Sequence, residues 1–162
     1  MSYLKISLSI FVVLATTRFV PHPPNFTSLI ALSFYVPVIF GSRFIPATIL
    51  SFALTDLFIG MHGTTFFTWG SVLFISILSN YFSNDILKRL SGALLGAFIF
   101  FAVTNFGVWS NGIYGYSLKG LITCYTLAIP FFAYSLISTL LFSTIIEMLI
   151  KLKLFRFNKK LI

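Results

Sequence analysis

The chain has 162 residues, of which 58% are hydrophobic and only 9% are charged, with a formal net charge of +8, and its mean hydropathy is +1.01. Soluble domains carry roughly 25% charged residues, so a soluble fold of this length could not bury so much apolar surface. The composition predicts a single integral membrane domain over residues 1–162 in contact with membrane lipid. It argues against nucleic-acid binding, because no basic stripe interleaves with exposed aromatic residues.

Apolar segments of membrane-spanning length recur along the chain. A span needs about 20 residues, with a range of roughly 17–25, and the second segment is short enough to reach only partway. Proline-rich residues 21–25 end the first segment, and Ser83, Asn84 and Asp85 break the chain before the fifth and can cap it. The sequence therefore predicts an all-α membrane protein with six transmembrane helices, at about residues 3–20, 27–41, 44–60, 66–82, 86–103 and 131–152.

The stretch between the fifth and sixth segments has a different composition. Residues 105–116 contain three glycines, two asparagines and four aromatic residues, which predicts a structured loop that could cover a pocket. Pro130 divides the long apolar run that follows, which predicts a short helix near residues 117–128 before the sixth span.

The distribution of cations predicts the orientation. With the N-terminus inside, one side of the membrane holds nine Lys/Arg residues and the other holds only Arg18 and Lys119, a positive-inside bias. The nine are Lys5, Arg43, Lys88, Arg89, Lys151, Lys153, Arg156, Lys159 and Lys160. Both termini are therefore expected in the cytoplasm of a multi-pass membrane protein, with the basic tail on anionic headgroups.

The same topology collects polar residues at the outer side. Asp56 lies in an apolar helix, where a carboxylate costs roughly 2.5–3.5 kcal/mol and normally pairs or faces a cavity. Arg18 is the expected partner, and two interpretations stay open: a structural ion pair, or a pair that contacts a ligand. Asn25 and Asn105 would exchange hydrogen bonds with that ligand, and Trp109 would stack on a ring. The predicted substrate-binding residues are Arg18, His22, Asn25, Asp56, Asn105 and Trp109.

No catalytic, metal-binding or cofactor pattern accompanies these residues. Cys124 is the one cysteine and no HxxxH, CxxC or P-loop spacing occurs, so we expect neither an enzyme nor a metal or cofactor site. Gly92 and Gly96 form a GxxxG pattern that favours close packing within the chain over a dimer contact. Glu147 is expected to pair with Lys151 one turn later.

Three features occur in a familiar order: an apolar first segment that runs into a proline-rich turn, a second segment that ends at residues 40–43, and a third that ends at residues 55–60. This order resembles the substrate-binding membrane subunits, or S components, of energy-coupling factor vitamin transporters. The chain looks closest to an uncharacterised bacterial membrane family of this kind, through Arg18 with residues 21–27, residues 104–109, and Gly120 with residues 124–132. The resemblance implies a protein of the bacterial cytoplasmic (inner) membrane. It implies a six-helix bundle that binds a vitamin-like molecule near the outer face and docks on a coupling subunit with ATPases. Such docking uses small residues spaced by four on the first helix, and this first helix has no clean AxxxA, so a protein that works alone is an open alternative.

Two function classes therefore compete: a small-molecule binding and uptake protein, and an accessory or structural subunit of a larger membrane complex. The second predicts that the outer polar cluster satisfies itself and that no cavity exists. A membrane enzyme would need an activated nucleophile or metal that the sequence does not offer.

Overall fold

A computed structural model describes residues 2–82 and 85–152, and within them the chain forms six α-helices and no strand. Short 3₁₀ turns cover Ser42–Phe44, before the third helix, and Ser79–Phe82, after the fourth. The predicted break at Ser83 and Asn84 and the tail cations Lys153, Arg156, Lys159 and Lys160 lie outside the described residues. The helices are α1 (Tyr3–Phe19), α2 (Leu29–Phe40), α3 (Ile45–Ile59), α4 (Thr65–Leu78), α5 (Ile86–Ser110) and α6 (Leu118–Lys151).

Four helical segments are long and apolar enough to cross a membrane: Ser42–Ile59, Thr65–Phe82, Ile86–Ser110 and Leu118–Lys151. Together they indicate a multi-pass membrane protein, as the composition predicts. The first four predicted helices are confirmed as helices, with ends that differ by a few residues.

Helix α2 is the core of the bundle. Ten of its twelve residues are buried, and a helix that is apolar on all sides is expected to be covered on all sides. It packs against α1, α3, α4, α5 and α6. The segment is predicted to be short for a spanning helix, and its twelve residues extend about 18 Å at 1.5 Å per residue.

The other helices form two groups around α2. Helix α1 packs chiefly on α3, and α5 packs chiefly on α6, while α4 contacts α2, α3 and α5. Asp85 caps α5 as predicted, because its carboxylate accepts a hydrogen bond from the backbone N–H of Lys88 at 2.9 Å. That hydrogen bond lowers the pKa of the exposed Asp85 carboxyl below its ordinary value.

The prediction that helix five ends near residue 103 is wrong. Helix α5 continues to Ser110, so Asn105 and Trp109 are helical rather than part of a loop. The glycine in this stretch serves packing, because a Cβ at Gly107 would lie 2.5 Å from the Phe67 ring. The chain turns only at Gly112, where φ is +79°, a value that favours glycine.

The predicted division of the last apolar run at Pro130 is also wrong. Helix α6 runs unbroken through Pro130 for 34 residues, about 51 Å. Proline removes one backbone donor, which leaves the carbonyl of Thr126 without its usual partner. In an apolar environment a complete break would expose several unpaired backbone groups, each costing several kcal/mol, so a continuous helix is the smaller loss.

The prediction that Glu147 pairs with Lys151 is wrong, because the described ion pair of Glu147 is with Arg89. Its two carboxylate oxygens accept hydrogen bonds from Nε and Nη2 of Arg89 on α5, at 2.6 and 2.7 Å. The hydroxyl of Tyr35 on α2 donates to the same carboxylate at 2.9 Å. We call Arg89, Glu147 and Tyr35 the Arg89 cluster; it joins α2, α5 and α6. Arg89 is thus a buried, paired residue rather than a loop cation.

The GxxxG pattern on α5 packs within the chain. A Cβ at Gly92 would lie 2.6 Å from the Phe34 ring of α2, and one at Gly96 would lie 3.1 Å from Ile75 of α4. The two glycines therefore let α5 approach α2 and α4 closely, as the pattern predicts.

We expect Gly92→Ala to lower the free energy of unfolding by about 1–3 kcal/mol, because the added methyl overpacks the contact with Phe34. Gly70→Ala is the matched control: Gly70 is also helical, but nothing lies within 4 Å of its Cβ position. That variant should gain up to about 1 kcal/mol from the better helix propensity of alanine. The measurement is unfolding in mixed detergent–SDS micelles followed by circular dichroism. Equal stabilities for the two variants would contradict the packing assignment.

Candidate functional site

Three connecting segments meet at one end of the bundle, which we call the Arg18 end. They are residues 20–28 between α1 and α2, 60–64 between α3 and α4, and 111–117 between α5 and α6. The C-terminal turns of α1 and α3 and the N-terminal turn of α4 also lie there. The Arg89 cluster lies toward the opposite end, near the start of α5 and the end of α6.

A buried ion pair joins the helices at the Arg18 end. The Arg18 guanidinium donates from Nη2 to Oδ1 of Asp56 at 2.6 Å, and from Nη1 to the hydroxyl of Thr55 and the carbonyl of Phe52 at 3.3 Å. The other carboxylate oxygen, Oδ2, accepts the indole N–H of Trp69 at 2.7 Å. We call Arg18, Thr55, Asp56 and Trp69 the Arg18 cluster; it joins α1, α3 and α4.

The Arg18 cluster is largely self-satisfied. Asp56 is only 1% exposed, and each of its oxygens already accepts a hydrogen bond. The guanidinium of Arg18 also lies over the Phe52 ring, 4.6 Å from its centroid, a favourable cation–π geometry. The structure therefore brings Arg18 and Asp56 together as predicted and uses both as helix contacts. Trp69 was not among the predicted site residues, although it lies near the start of α4, beside the C-terminal turn of α3.

Beside this cluster lies a cavity of about 330 Å³, which we call the Arg18 cavity. Its wall combines the guanidinium face with side chains from the first connecting segment and from α2. Its lining includes Arg18, His22, Asn25, Thr27, Leu29, Ile30, Phe52, Ile59, His62, Thr68 and Phe100. Asp56 is absent from this wall because it lies behind the guanidinium.

A second cavity of about 390 Å³, the aromatic cavity, lies between α4, α5 and α6. Asn25, His62, Thr68 and Phe100 line both cavities, so the two are neighbours separated by these shared side chains. Its further lining is Pro24, Thr64, Phe101, Thr104, Asn105, Val108, Tyr114, Cys124, Leu127, Ala128, Phe131, Phe132 and Ser135. Apolar walls with a few placed polar groups are the usual composition of a small-molecule site.

The first connecting segment fixes two of the predicted residues at the cavity edge. Asn25 has φ of +62°, a left-handed conformation that asparagine tolerates better than other side-chain-bearing residues. Its carbonyl accepts a hydrogen bond from Ser138 of α6 at 3.4 Å, which anchors the segment across the bundle. The two ring nitrogens of His22 lie 2.7 and 3.3 Å from the carbonyl oxygens of Pro23 and Arg18, and a neutral ring donates to one of them.

The two predicted residues on α5 have different surroundings. Asn105 lines the aromatic cavity, and its amide nitrogen donates back to the Phe101 carbonyl at 2.7 Å. Trp109 lies outside the linings of both cavities and packs in the aromatic pairs with Phe106 and Tyr116, at 5.5 and 6.3 Å between centroids. Its buried indole nitrogen has no hydrogen-bond partner among the described residues. The structure thus brings Arg18, His22, Asn25 and Asn105 to the cavities and leaves Asp56 and Trp109 behind them.

Residues outside the predicted set complete the cavities. His62 and Thr68 line both, and the ring of His62 bonds the Thr64 hydroxyl at 2.8 Å. The thiol of Cys124 donates to the Asn105 carbonyl at 3.4 Å. The signal that could have found His62 is its place in the short turn after α3, at the same end as Arg18. Over residues 2–82 and 85–152, no three His, Cys, Asp or Glu side chains are grouped as metal ligands would be.

Comparison with known proteins gives one family relation. A family model described as a family of unknown function (DUF6580) matches residues 2–159. No curated protein and no solved structure is significantly similar to the chain.

We expect Asp56→Ala to lower the free energy of unfolding by about 3–5 kcal/mol, because it leaves the largely buried Arg18 charge without its partner. The double variant Arg18→Met/Asp56→Leu should recover much of that loss, since it removes both charges and keeps apolar volume. Micelle unfolding of the wild type, Arg18→Met, Asp56→Leu and the double variant gives the coupling energy. A stable Asp56→Ala protein would contradict the structural role of the pair.

Proposed function

We propose that this protein, which belongs to the DUF6580 family, binds a small, vitamin-like molecule in the membrane and takes part in its uptake. The observation that carries this proposal is the pair of adjoining cavities at the Arg18 end, of about 330 and 390 Å³. Each is within the range of roughly 300–1,000 Å³ typical of ligand pockets.

The cavity walls favour an uncharged ligand with a flat apolar part. Arg18 is the one cationic side chain in the described linings, and Asp56 neutralises it. Phenylalanines 100, 101, 131 and 132 supply ring faces and edges, which pack on rings in offset or edge-on geometry. Amide and hydroxyl groups at the edge, above all Asn25, Thr104 and Asn105, would fix the orientation of the ligand by hydrogen bonds. Because Asp56 neutralises its charge, Arg18 is not expected to capture an anionic ligand.

The proposed orientation places the Arg18 end outside, with six transmembrane helices and both termini in the cytoplasm of a bacterial inner membrane. Lys5 at the start of α1, Arg43 in the turn before α3 and Lys88 in the first turn of α5 support it, because they lie at the opposite end. The hydrogen bond from the Tyr3 hydroxyl to the Arg43 carbonyl, at 3.3 Å, brings two of these helix ends together. Removing buried Arg89 from the count leaves the cation bias in the same direction.

The resemblance to S components of energy-coupling factor transporters supports an uptake role with a coupling subunit and ATPases as partners. The exposed side of α1, which includes Leu4, Leu8 and Val12, carries no AxxxA pattern for such docking. The proposal therefore includes the alternative that the protein works alone, without a coupling subunit. Catalysis is not proposed, because the Cys124 thiol and the His62 ring each bond a different group.

One observation favours the second candidate, an accessory or structural subunit of a larger complex. Such a subunit needs a polar cluster that is satisfied internally, and both oxygens of Asp56 are bonded within the chain. The cavities favour ligand binding, since a purely structural bundle has no need to leave that volume unfilled.

The first test is native mass spectrometry of the detergent-purified protein, with a search for a co-purified small molecule. We expect a bound species that is lost or weakened in Thr104→Val and in Asn25→Gly, because both remove a polar group from the cavity wall. Glycine is chosen at position 25 because it accepts the left-handed backbone without strain.

Thr144→Val is the matched control for Thr104→Val. Both threonine hydroxyls donate to the carbonyl four residues earlier, at 2.8 Å for Thr144 and 2.7 Å for Thr104, but Thr144 is half-buried on α6 and lines neither cavity. Loss of the bound species in both Thr104→Val and Thr144→Val would identify it as adventitious lipid or detergent. A preparation that carries no small molecule and retains a second protein subunit would favour the accessory role.

A further inference from the structure

A groove of about 130 Å³, which we call the α1–α6 groove, opens on the side of the bundle. Helix α2 forms its floor, and α1 and α6 form its two walls. Its α1 wall consists of Ile6, Ser9, Ile10 and Val13, and Ile146 belongs to its α6 wall. From Ile6 to Val13 the groove follows α1 for about 10 Å. It is separate from the two cavities at the Arg18 end, because it shares no lining residue with either of them.

The lining of the groove fits a hydrocarbon ligand. Two lining residues carry hydroxyls, and both are engaged: Ser9 donates to the carbonyl of Lys5 and Tyr35 donates to Glu147, each at 2.9 Å. The other lining side chains are aliphatic or phenyl. Val13 is 45% exposed, so the groove is open on the surface that a multi-pass protein presents to the hydrocarbon of the bilayer.

The size of the groove selects between a lipid chain and a protein helix. A helix with its side chains is about 10–12 Å across and would occupy roughly 800 Å³ over a length of about 10 Å. A groove of about 130 Å³ is several times too small for it, so a neighbouring helix would lie over the groove and leave it unfilled. A single acyl chain is narrow enough to lie inside, parallel to α1.

Two cations lie at the end of the groove that is marked by Ile6. Lys5 precedes Ile6 and stands one helical turn before Ser9, which places it on the same side of α1 as the groove wall. Arg43, in the turn before α3, is held at this end because its carbonyl accepts a hydrogen bond from the Tyr3 hydroxyl at 3.3 Å. Both cations are exposed, and tyrosine is enriched at the level of the lipid headgroups.

Within residues 2–82 and 85–152, no acidic side chain forms an ion pair with these two cations. The chain has three acidic residues, and each faces another cation: Asp56 faces Arg18, Glu147 faces Arg89, and Asp85 lies 3.8 Å from Lys88. Basic side chains near the membrane surface attract anionic lipids. The charge at the mouth and the hydrocarbon lining together complement one molecule that carries an anionic headgroup on an acyl chain.

We propose that the α1–α6 groove is a binding site for an anionic phospholipid. One acyl chain lies in the groove over α2, and the headgroup phosphate lies against Lys5 and Arg43. The lipid thereby fills a gap that the chain leaves between α1 and α6. This inference goes beyond the proposed function and does not rest on it, because the groove and the cavities have different walls.

The test is native mass spectrometry of the full-length protein released from nanodiscs that contain equal amounts of phosphatidylglycerol and phosphatidylcholine with the same acyl chains. We expect one phosphatidylglycerol molecule to stay bound at collision energies that remove the other lipids. Val13→Phe should reduce its retention severalfold, because the added ring fills the groove. Val12→Phe is the matched control, since Val12 is the neighbouring valine, is 52% exposed and lies outside the lining. Equal retention in the two variants, or equal retention of the two lipids by the wild type, would overturn the proposal.

The headgroup contact is tested by the preference for phosphatidylglycerol over phosphatidylcholine. Lys5→Gln should lower that preference about fivefold, the effect of one basic residue near an anionic surface. Lys119→Gln is the control, because Lys119 is also exposed but lies at the Arg18 end. An equal loss in both variants would show a general attraction by net charge and reject the site. A lipid-free dimer that Val13→Phe converts to a monomer would assign the groove to a second copy of the chain and likewise overturn the proposal.

Discussion

Neutralising buried carboxylates is the constraint on which the bundle depends. Asp56 and Glu147 are both buried, and each is held by a guanidinium and by a second donor, Trp69 or Tyr35. The first cluster joins α1, α3 and α4, and the second joins α2, α5 and α6, so no helix belongs to both. An apolar solvent offers no driving force for apolar helices to associate, and these clusters supply specific contacts in its place.

The cavities follow from the difference in helix length. Helix α2 spans about 18 Å while α5 spans about 37 Å, so the central helix is much shorter than α5 and α6. Leu29 and Ile30, in its first turn, line the Arg18 cavity. The space beyond them is only partly filled by the segment that contains Asn25. A short buried helix under a proline-rich connection thus produces a pocket between longer helices.

The sequence predicts the first four helices and the Arg18–Asp56 pair because both rest on strong local signals: apolar length, proline, and a lone carboxylate in an apolar segment. It misplaces the end of α5, because glycine and aromatic residues are typical of loops, and only the position of Phe67 shows what Gly107 packs against. It assigns Glu147 to Lys151 because helical spacing is visible in a sequence, whereas the approach of Arg89 from another helix is not. His62 and Thr68 become cavity residues only through tertiary packing, which has no periodic signature.

The coverage of α2 also bears on how the protein is made. A twelve-residue segment is shorter than the roughly 17–25 residues that a spanning helix needs, and it contains the polar side chains Ser33 and Tyr35. Its place in the bundle therefore depends on α4, α5 and α6, which follow it in the chain and pack against it. A change that weakens those contacts is expected to impair the insertion of this segment during synthesis as well as the stability of the folded bundle.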